Sequence, residues 1–148
     1  MKVKVLIKPD AKLVAVRPED TVETTASLLS SNNIGAVPVR DGDGNLVGLI
    51  SERDIVRGFA RKGGKVLSLK VRDLMTASVI TCTSSDSVKD VANVMIQRSI
   101  RHLPVVDEGE LVAMISLRDV VKNRLAQTEL EANVLREAVI VTGGIGKI

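Results

Sequence analysis

Gly48-Leu49-Ile50-Ser51-Glu52-Arg53-Asp54-Ile55-Val56 and Ala113-Met114-Ile115-Ser116-Leu117-Arg118-Asp119-Val120-Val121 are two versions of one sentence. Each has a short apolar run, a serine, two further residues, then an aspartate where a helix would begin. A helix opened by Ser with a carboxylate three residues on has its first free N–H groups satisfied by its own side chains. The same helix start presents a positive dipole end to an anion or a sugar hydroxyl. Capping and binding are compatible, so both readings stand at this point.

Working outward, the duplication extends far beyond these blocks. With Asp20-Thr21-Val22 laid over Asp86-Ser87-Val88, Ala26 falls on Ala92, Ile34 on Ile100, Pro38 on Pro104 and Val39 on Val105. One residue is then lost in a turn. Leu46-Val47 falls on Leu111-Val112, Ile50-Ser51 on Ile115-Ser116 and Arg53-Asp54 on Arg118-Asp119. Agreement in one order with a single gap at a turn identifies a tandem repeat.

Each copy reads as β-α-β-β-α. Leu13–Val16 and Val79–Cys82 are short β-rich runs. Asp20 and Asp86 are N-cap candidates, followed by apolar residues at helical spacing: Val22, Ala26 and Leu29, then Val88, Ala92 and Met95. Ala36-Val37-Pro38-Val39 and Leu103-Pro104-Val105-Val106 read as strands, with proline expected at an edge or a strand start. Asp41-Gly42-Asp43-Gly44 and Asp107-Glu108-Gly109 read as hairpin turns into the return strands. The first closing helix should end near Gly63-Gly64, and the second should run to about Glu137, before a glycine-rich tail over 142–148.

Between the copies, 65–75 reads as a linker with a helical turn, and 1–8 plays the same part for the first copy. The resulting expectation is an α/β (α+β) protein with repeat one over 1–64, repeat two over 65–125, and a C-terminal helix and tail over 126–148. Each unit alone leaves an apolar sheet face open, so the pair should be the folding unit.

Composition narrows the function classes. At 45% hydrophobic, the 148-residue chain can bury a core. Phe59 is the lone aromatic, so the stacking platform common in single-strand nucleic-acid binders is missing. The net charge of +3 permits an anionic ligand without demanding one. Cys82 and His102 each stand alone, which rules out an internal disulfide and a multi-histidine metal site. No apolar run reaches a membrane span, and the start lacks a secretory pattern, so the expected location is cytoplasmic. No Walker-type glycine loop, acidic metal cluster or activated nucleophile is visible, which argues against an enzyme. The basic set Arg57, Arg61, Lys62 and Lys65 keeps nucleic-acid binding as an alternative, against the simpler reading of a solvated helix end.

Ile34-Gly35-Ala36-Val37-Pro38-Val39 followed by Leu46 to Val56, and Ile100-Arg101-His102-Leu103-Pro104-Val105-Val106 followed by Leu111 to Val121, together resemble the cystathionine β-synthase (CBS) domain signature, in both copies, over roughly residues 3–125. The resemblance implies a stand-alone CBS pair, or Bateman module. Its two repeats pack by their sheets about a pseudo-two-fold axis, and adenine nucleotides such as AMP, ATP or NAD(H) occupy two clefts between them. No cofactor is required. A homodimer and an unknown regulated protein are the implied partners, with no membrane; a nucleic-acid-binding CBS protein stays as the alternative.

Carried onto this chain, the resemblance puts Asp54 and Asp119 on ribose hydroxyls, with Ser51, Arg53, Ser116 and Arg118 beside ribose and phosphate. The Asp54 cleft would take its adenine wall from Thr76, Ile80, Thr81 and Ile100. The Asp119 cleft would use Lys8, Val14, Ala15 and Ile34. Pro38 and Pro104 complete the expected binding sets. Repeat one has Gly35-Ala36 where repeat two has Arg101-His102, so charge near phosphates is expected in one cleft and not in the other. Ala113, in place of Gly48, is expected to narrow the second cleft slightly.

Overall fold

The computed structural model describes residues 1–136. The 142–148 tail and the expected helix end at Glu137 lie outside them. Repeat one contains α1 (Val22–Asn32), β1 (Ala36–Arg40), β2 (Leu46–Ser51) and α2 (Glu52–Lys62). The short α3 (Val71–Leu74) precedes repeat two, which contains α4 (Val88–Gln97), β3 (His102–Asp107), β4 (Glu110–Ser116) and α5 (Leu117–Arg136). Turns of 3-10 helix occupy Val3–Leu6 and Gly63–Ser68.

β1 pairs antiparallel with β2, and β3 with β4. The second hairpin turns on Glu108 (φ 50°) and Gly109 (φ 81°), the left-handed pair that a two-residue connection requires. In the first, the Asp41 carboxylate accepts from the Asp43 and Asn45 backbone N–H groups, both at 2.9 Å.

The expected first strand of each repeat shrinks to a single parallel bridge, Val16 to Val39 and Cys82 to Val105. Proline is the physical reason. Val16 N–H donates to the Pro38 carbonyl and Arg40 N–H donates to the Val16 carbonyl. The next rung would need an N–H on residue 38, which proline lacks. Pro104 ends the Cys82 ladder in the same way. These prolines therefore sit mid-strand and buried, not at an edge or a strand start.

The helix caps also move by one residue. Thr21 and Ser87 are the N-caps, accepting from the Thr24 and Asp90 N–H groups. Asp20 and Asp86 instead close the preceding turns, accepting from Arg17 N and Thr83 N at 2.8 Å.

Two apolar cores form, and each is completed by the segment that precedes the other repeat. Val71 is fully buried among Val16, Leu29, Val37, Val39 and Ile50 of repeat one, with Leu74 and Met75 packed alongside. Val3 is fully buried among Cys82, Val88, Val91, Met95, Leu103 and Val105 of repeat two, with Leu6 and Ile7 alongside. Backbone hydrogen bonds repeat the exchange: Val71 N to Asp20 O and Val3 N to Asp86 O, both 2.8 Å, then Val22 N to Leu69 O and Val88 N to Met1 O, both 2.9 Å. The repeats are thus interlocked. Further contacts join the hairpins directly, such as Arg40 Nη2 donating to the Leu111 carbonyl at 3.0 Å.

Candidate functional site: two clefts between the repeats

Each Ser-x-x-Asp block forms the helix start its sequence implies. Ser51 is the N-cap of α2: its Oγ accepts from Asp54 N at 3.3 Å, while Asp54 Oδ2 accepts from Ser51 N at 2.8 Å and from Ser51 Oγ at 3.0 Å. At α5, Asp119 Oδ2 accepts from Ser116 N at 2.9 Å and Ser116 Oγ accepts from Asp119 N at 3.2 Å. Capping occupies one oxygen of each carboxylate. Oδ1 of each has no partner among the described residues and remains an acceptor for a ligand hydroxyl.

The Asp54 cleft, a cavity of about 370 Å³, is lined by Ser51, Arg53 and Asp54 from repeat one and by Thr76, Ile80, Ile100, Arg101 and His102 from across the seam. The Asp119 cleft, about 510 Å³, brings Asp119 together with Lys8, Val14, Ile34 and Ala36. Residues from both sides of the seam therefore line each cleft. Other expected residues stand elsewhere. Thr81 lines a separate shallow depression with Leu46 and Val106. Gly35 lines a groove beside Glu52 and Ile55. Pro38 and Pro104 are buried in their strands. Ala15, Ser116 and Arg118 do not line the Asp119 cleft; Arg118, on the first turn of α5, is exposed.

Two arginines that the motif reading passed over also line the Asp54 cleft: Arg57, one turn beyond Arg53, and Arg98, at the end of α4. The spacing of Arg53 and Arg57 on one helix face was the available signal. In the Asp119 cleft, Leu6, Ile7, Lys12, Asn32 and Met114 were likewise missed.

The second cleft is roomier, not narrower. A Cβ on Gly48 would stand 2.7 Å from Met75 Sδ and 3.0 Å from the Thr76 carbonyl oxygen, so the missing side chain lets the 75–76 segment close onto β2. Leu49 and Thr76 exchange backbone hydrogen bonds there, both 2.9 Å. Repeat two, with Ala113, has no matching bridge to the Lys8 segment among the described residues.

His102 departs from its expected role. Burial, the largest influence, pushes its pKa below the ordinary 6.5; Arg101 also lowers it, against the raising effects of Glu52 and Asp119. It is therefore neutral at pH 7 and fills the seam between the repeats, leaving cationic charge to Arg101. Burial likewise pushes the Cys82 thiol up to about 11, helped by Asp86 and Asp107, so it is a core side chain and no nucleophile. No group of three or more His, Cys, Asp or Glu able to hold a metal occurs among the described residues. No helix there is long and apolar enough to cross a membrane.

Comparison with known proteins agrees with this duplicated architecture. The CBS domain family model matches residues 5–61 and again 71–126. The chain belongs to the CBS domain family. It is 30% identical over 115 residues to the CBS domain-containing protein YhcV of Bacillus subtilis, covering 78% of this chain and 81% of that one. Its fold matches the CBS-domain containing protein ATU1752 of Agrobacterium tumefaciens with a TM-score of 0.79 and 35% identity, covering 83% and 92% of the two chains. It also matches CBSX2 in complex with AMP, at a TM-score of 0.74 and 28% identity, covering 86% and 98%. As in those CBS pairs, the fold is mixed α/β with two small sheets.

Proposed function

We propose that this CBS pair is a non-catalytic regulatory module that binds adenine nucleotides (AMP, ATP or NAD(H)) in its two clefts and reports energy or redox state to another protein. The observation that carries the reading is the pair of helix-start carboxylates. Asp54 and Asp119 are each fixed by a cap through one oxygen, each keep Oδ1 for a ribose hydroxyl, and each face apolar walls from the opposite repeat. A flat, apolar slot beside a fixed carboxylate and a helix N-terminus suits a nucleoside. The AMP complex of CBSX2 supports the ligand class.

The same reading includes self-association, with Val56 and Phe59 of α2 and Val121 and Leu125 of α5 leaving apolar surface exposed on the closing helices. It includes a cytoplasmic setting, where a free, buried Cys82 is at home.

Calorimetry with AMP, ATP and NADH on the wild type, Asp54→Ala and Asp119→Ala tests it. Each substitution should remove one site and leave the other, with saturable binding and a raised Tm in the wild type. Losing a cap costs only about 1 kcal/mol, so both variants should stay folded. Absence of any adenine nucleotide binding at millimolar ligand by folded protein overturns the proposal.

A further inference from the structure

The duplication allows each cleft to serve as the control for the other. Where repeat two offers Arg98, Arg101 and His102 to the Asp54 cleft, the aligned residues of repeat one are Asn32, Gly35 and Ala36; of these, Asn32 and Ala36 line the Asp119 cleft. The backbone at these places is alike: Asn33 (φ 52°) and Ser99 (φ 53°) end α1 and α4 in the same left-handed conformation. The helix ends differ by one residue, since α1 includes Asn32 whereas Arg98 lies just past α4 as its C-cap, so the contrast between the repeats lies in the side chains and in that last turn. Along the closing helices all four aligned cations are exposed, but Arg53 and Arg57 line the Asp54 cleft while Arg118 and Lys122 do not line the Asp119 cleft.

Four exposed arginines thus line the Asp54 cleft, two from each repeat. Among the described residues none of these four hydrogen-bonds to another side chain, whereas Arg40 is committed to Leu111. Glu52 and Asp54 are the acidic residues there, and Asp54 is held by its cap. Guanidinium forks match phosphate oxygens and, set on facing walls, suit a chain of phosphates better than a single one. The Asp119 cleft has Lys8 and Lys12 as its cations, on the segment before repeat one; the segment before repeat two gives the other cleft the uncharged Thr76 and Ser78.

We infer that the clefts are divided by phosphate number. The Asp54 cleft takes an adenosine polyphosphate, whose phosphate chain runs between Arg53 and Arg57 on one side and Arg98 and Arg101 on the other. The Asp119 cleft takes a nucleoside with one phosphate or none. This inference rests on the adenine-nucleotide reading above and adds which cleft distinguishes charge states.

The test is calorimetry on the full chain at fixed ionic strength with adenosine, AMP, ATP and inorganic tripolyphosphate. Asp119→Ala isolates the Asp54 cleft. Adding Arg98→Asn and Arg101→Gly gives that cleft the side chains of repeat one at exposed positions, and a melting curve checks folding. ATP should bind the isolated cleft at least about tenfold more tightly than AMP, the preference should weaken as salt rises, and the arginine replacements should collapse it while leaving adenosine binding unchanged. Equal affinity for AMP and ATP in the isolated cleft, or a preference that survives both replacements, overturns the division and leaves the adenine reading standing. Binding of tripolyphosphate, lost on the arginine replacements, without any binding of adenosine, AMP or ATP supports the arginine anion site and overturns the adenine reading instead.

Discussion

Gly35 and His102 meet across the seam between the repeats: a Cβ on Gly35 would stand 3.1 Å from His102 Nε2 and 3.3 Å from Glu52 Oε1. Gly35 does not have a positive φ, so the space, and not the backbone, excludes a side chain. The imidazole of repeat two occupies what repeat one leaves empty. Gly35→Ala should therefore cost about 1 kcal/mol in urea unfolding, as overpacking does. In a His102→Ala background the same change should cost close to nothing. A double-mutant cycle showing no coupling between the two positions contradicts the contact.

Gly48 presents the harder limit, because one of its close neighbours is backbone. A Cβ there would lie 3.0 Å from the Thr76 carbonyl oxygen as well as 2.7 Å from Met75 Sδ. Gly48→Ala should push the 75–76 segment outward, break the Leu49–Thr76 pair and destabilise by about 1–3 kcal/mol. The amides of Leu49 and Thr76 should lose protection in hydrogen exchange. The reverse change, Ala113→Gly, relieves no clash and should leave stability within about 1 kcal/mol. A Gly48→Ala variant as stable as the wild type refutes the account of why the clefts differ in size.

His102 makes stability depend on pH above the carboxylate range. Its folded pKa lies below 6.5, chiefly through burial, with Glu52 and Asp119 opposing and Arg101 assisting. As pH falls through about 6.5, the unfolded imidazole takes up a proton before the folded one does. The contribution is therefore whole above 6.5 and is lost as pH falls from there towards the folded pKa. It is the single histidine of the chain, so the window is uncluttered. Urea midpoints measured at pH 7.5, 6.5 and 5.5 should decline for the wild type and stay nearly level for His102→Gln. Parallel profiles would show that the imidazole is not held neutral.

Much of this was legible because the repeat supplied two readings of each position. Ser51 with Asp54, and Ser116 with Asp119, announced both helix starts, and the family resemblance placed Thr76, Ile80, Ile100, Lys8, Val14 and Ile34 on the opposite walls. The misses have local causes. In Asp20-Thr21 and Asp86-Ser87 two capping residues stand side by side, and only the path of the preceding turn decides that the second one caps. The prolines marked strands correctly, but their effect on the neighbouring parallel ladder depends on which edge the missing N–H faces. Arg98 lines a cleft from the turn at Ser99, whose left-handed backbone its side chain does not advertise.

The exchange of segments between the cores was the least legible feature, since Val3 and Val71 carry the same pattern and either could have packed on the repeat that follows it. Its consequence is a rule for cutting the chain. A fragment of residues 10–76 keeps Val71, Leu74 and Met75 with the core they fill, whereas a fragment of residues 1–64 keeps Val3 and Leu6 without theirs. Domains of this size are marginal, so a missing apolar segment decides whether they fold. The longer-reaching fragment should show a cooperative thermal transition by circular dichroism and the other should not. In the full chain, Val3→Ala should cost about 2 kcal/mol. It should speed amide exchange at Cys82 and Val106 of repeat two while sparing Val16 and Arg40 of repeat one. Val71→Ala should do the converse. Faster exchange in repeat one on losing Val3 would mean that each segment serves its own repeat, and the interlocking would be wrong.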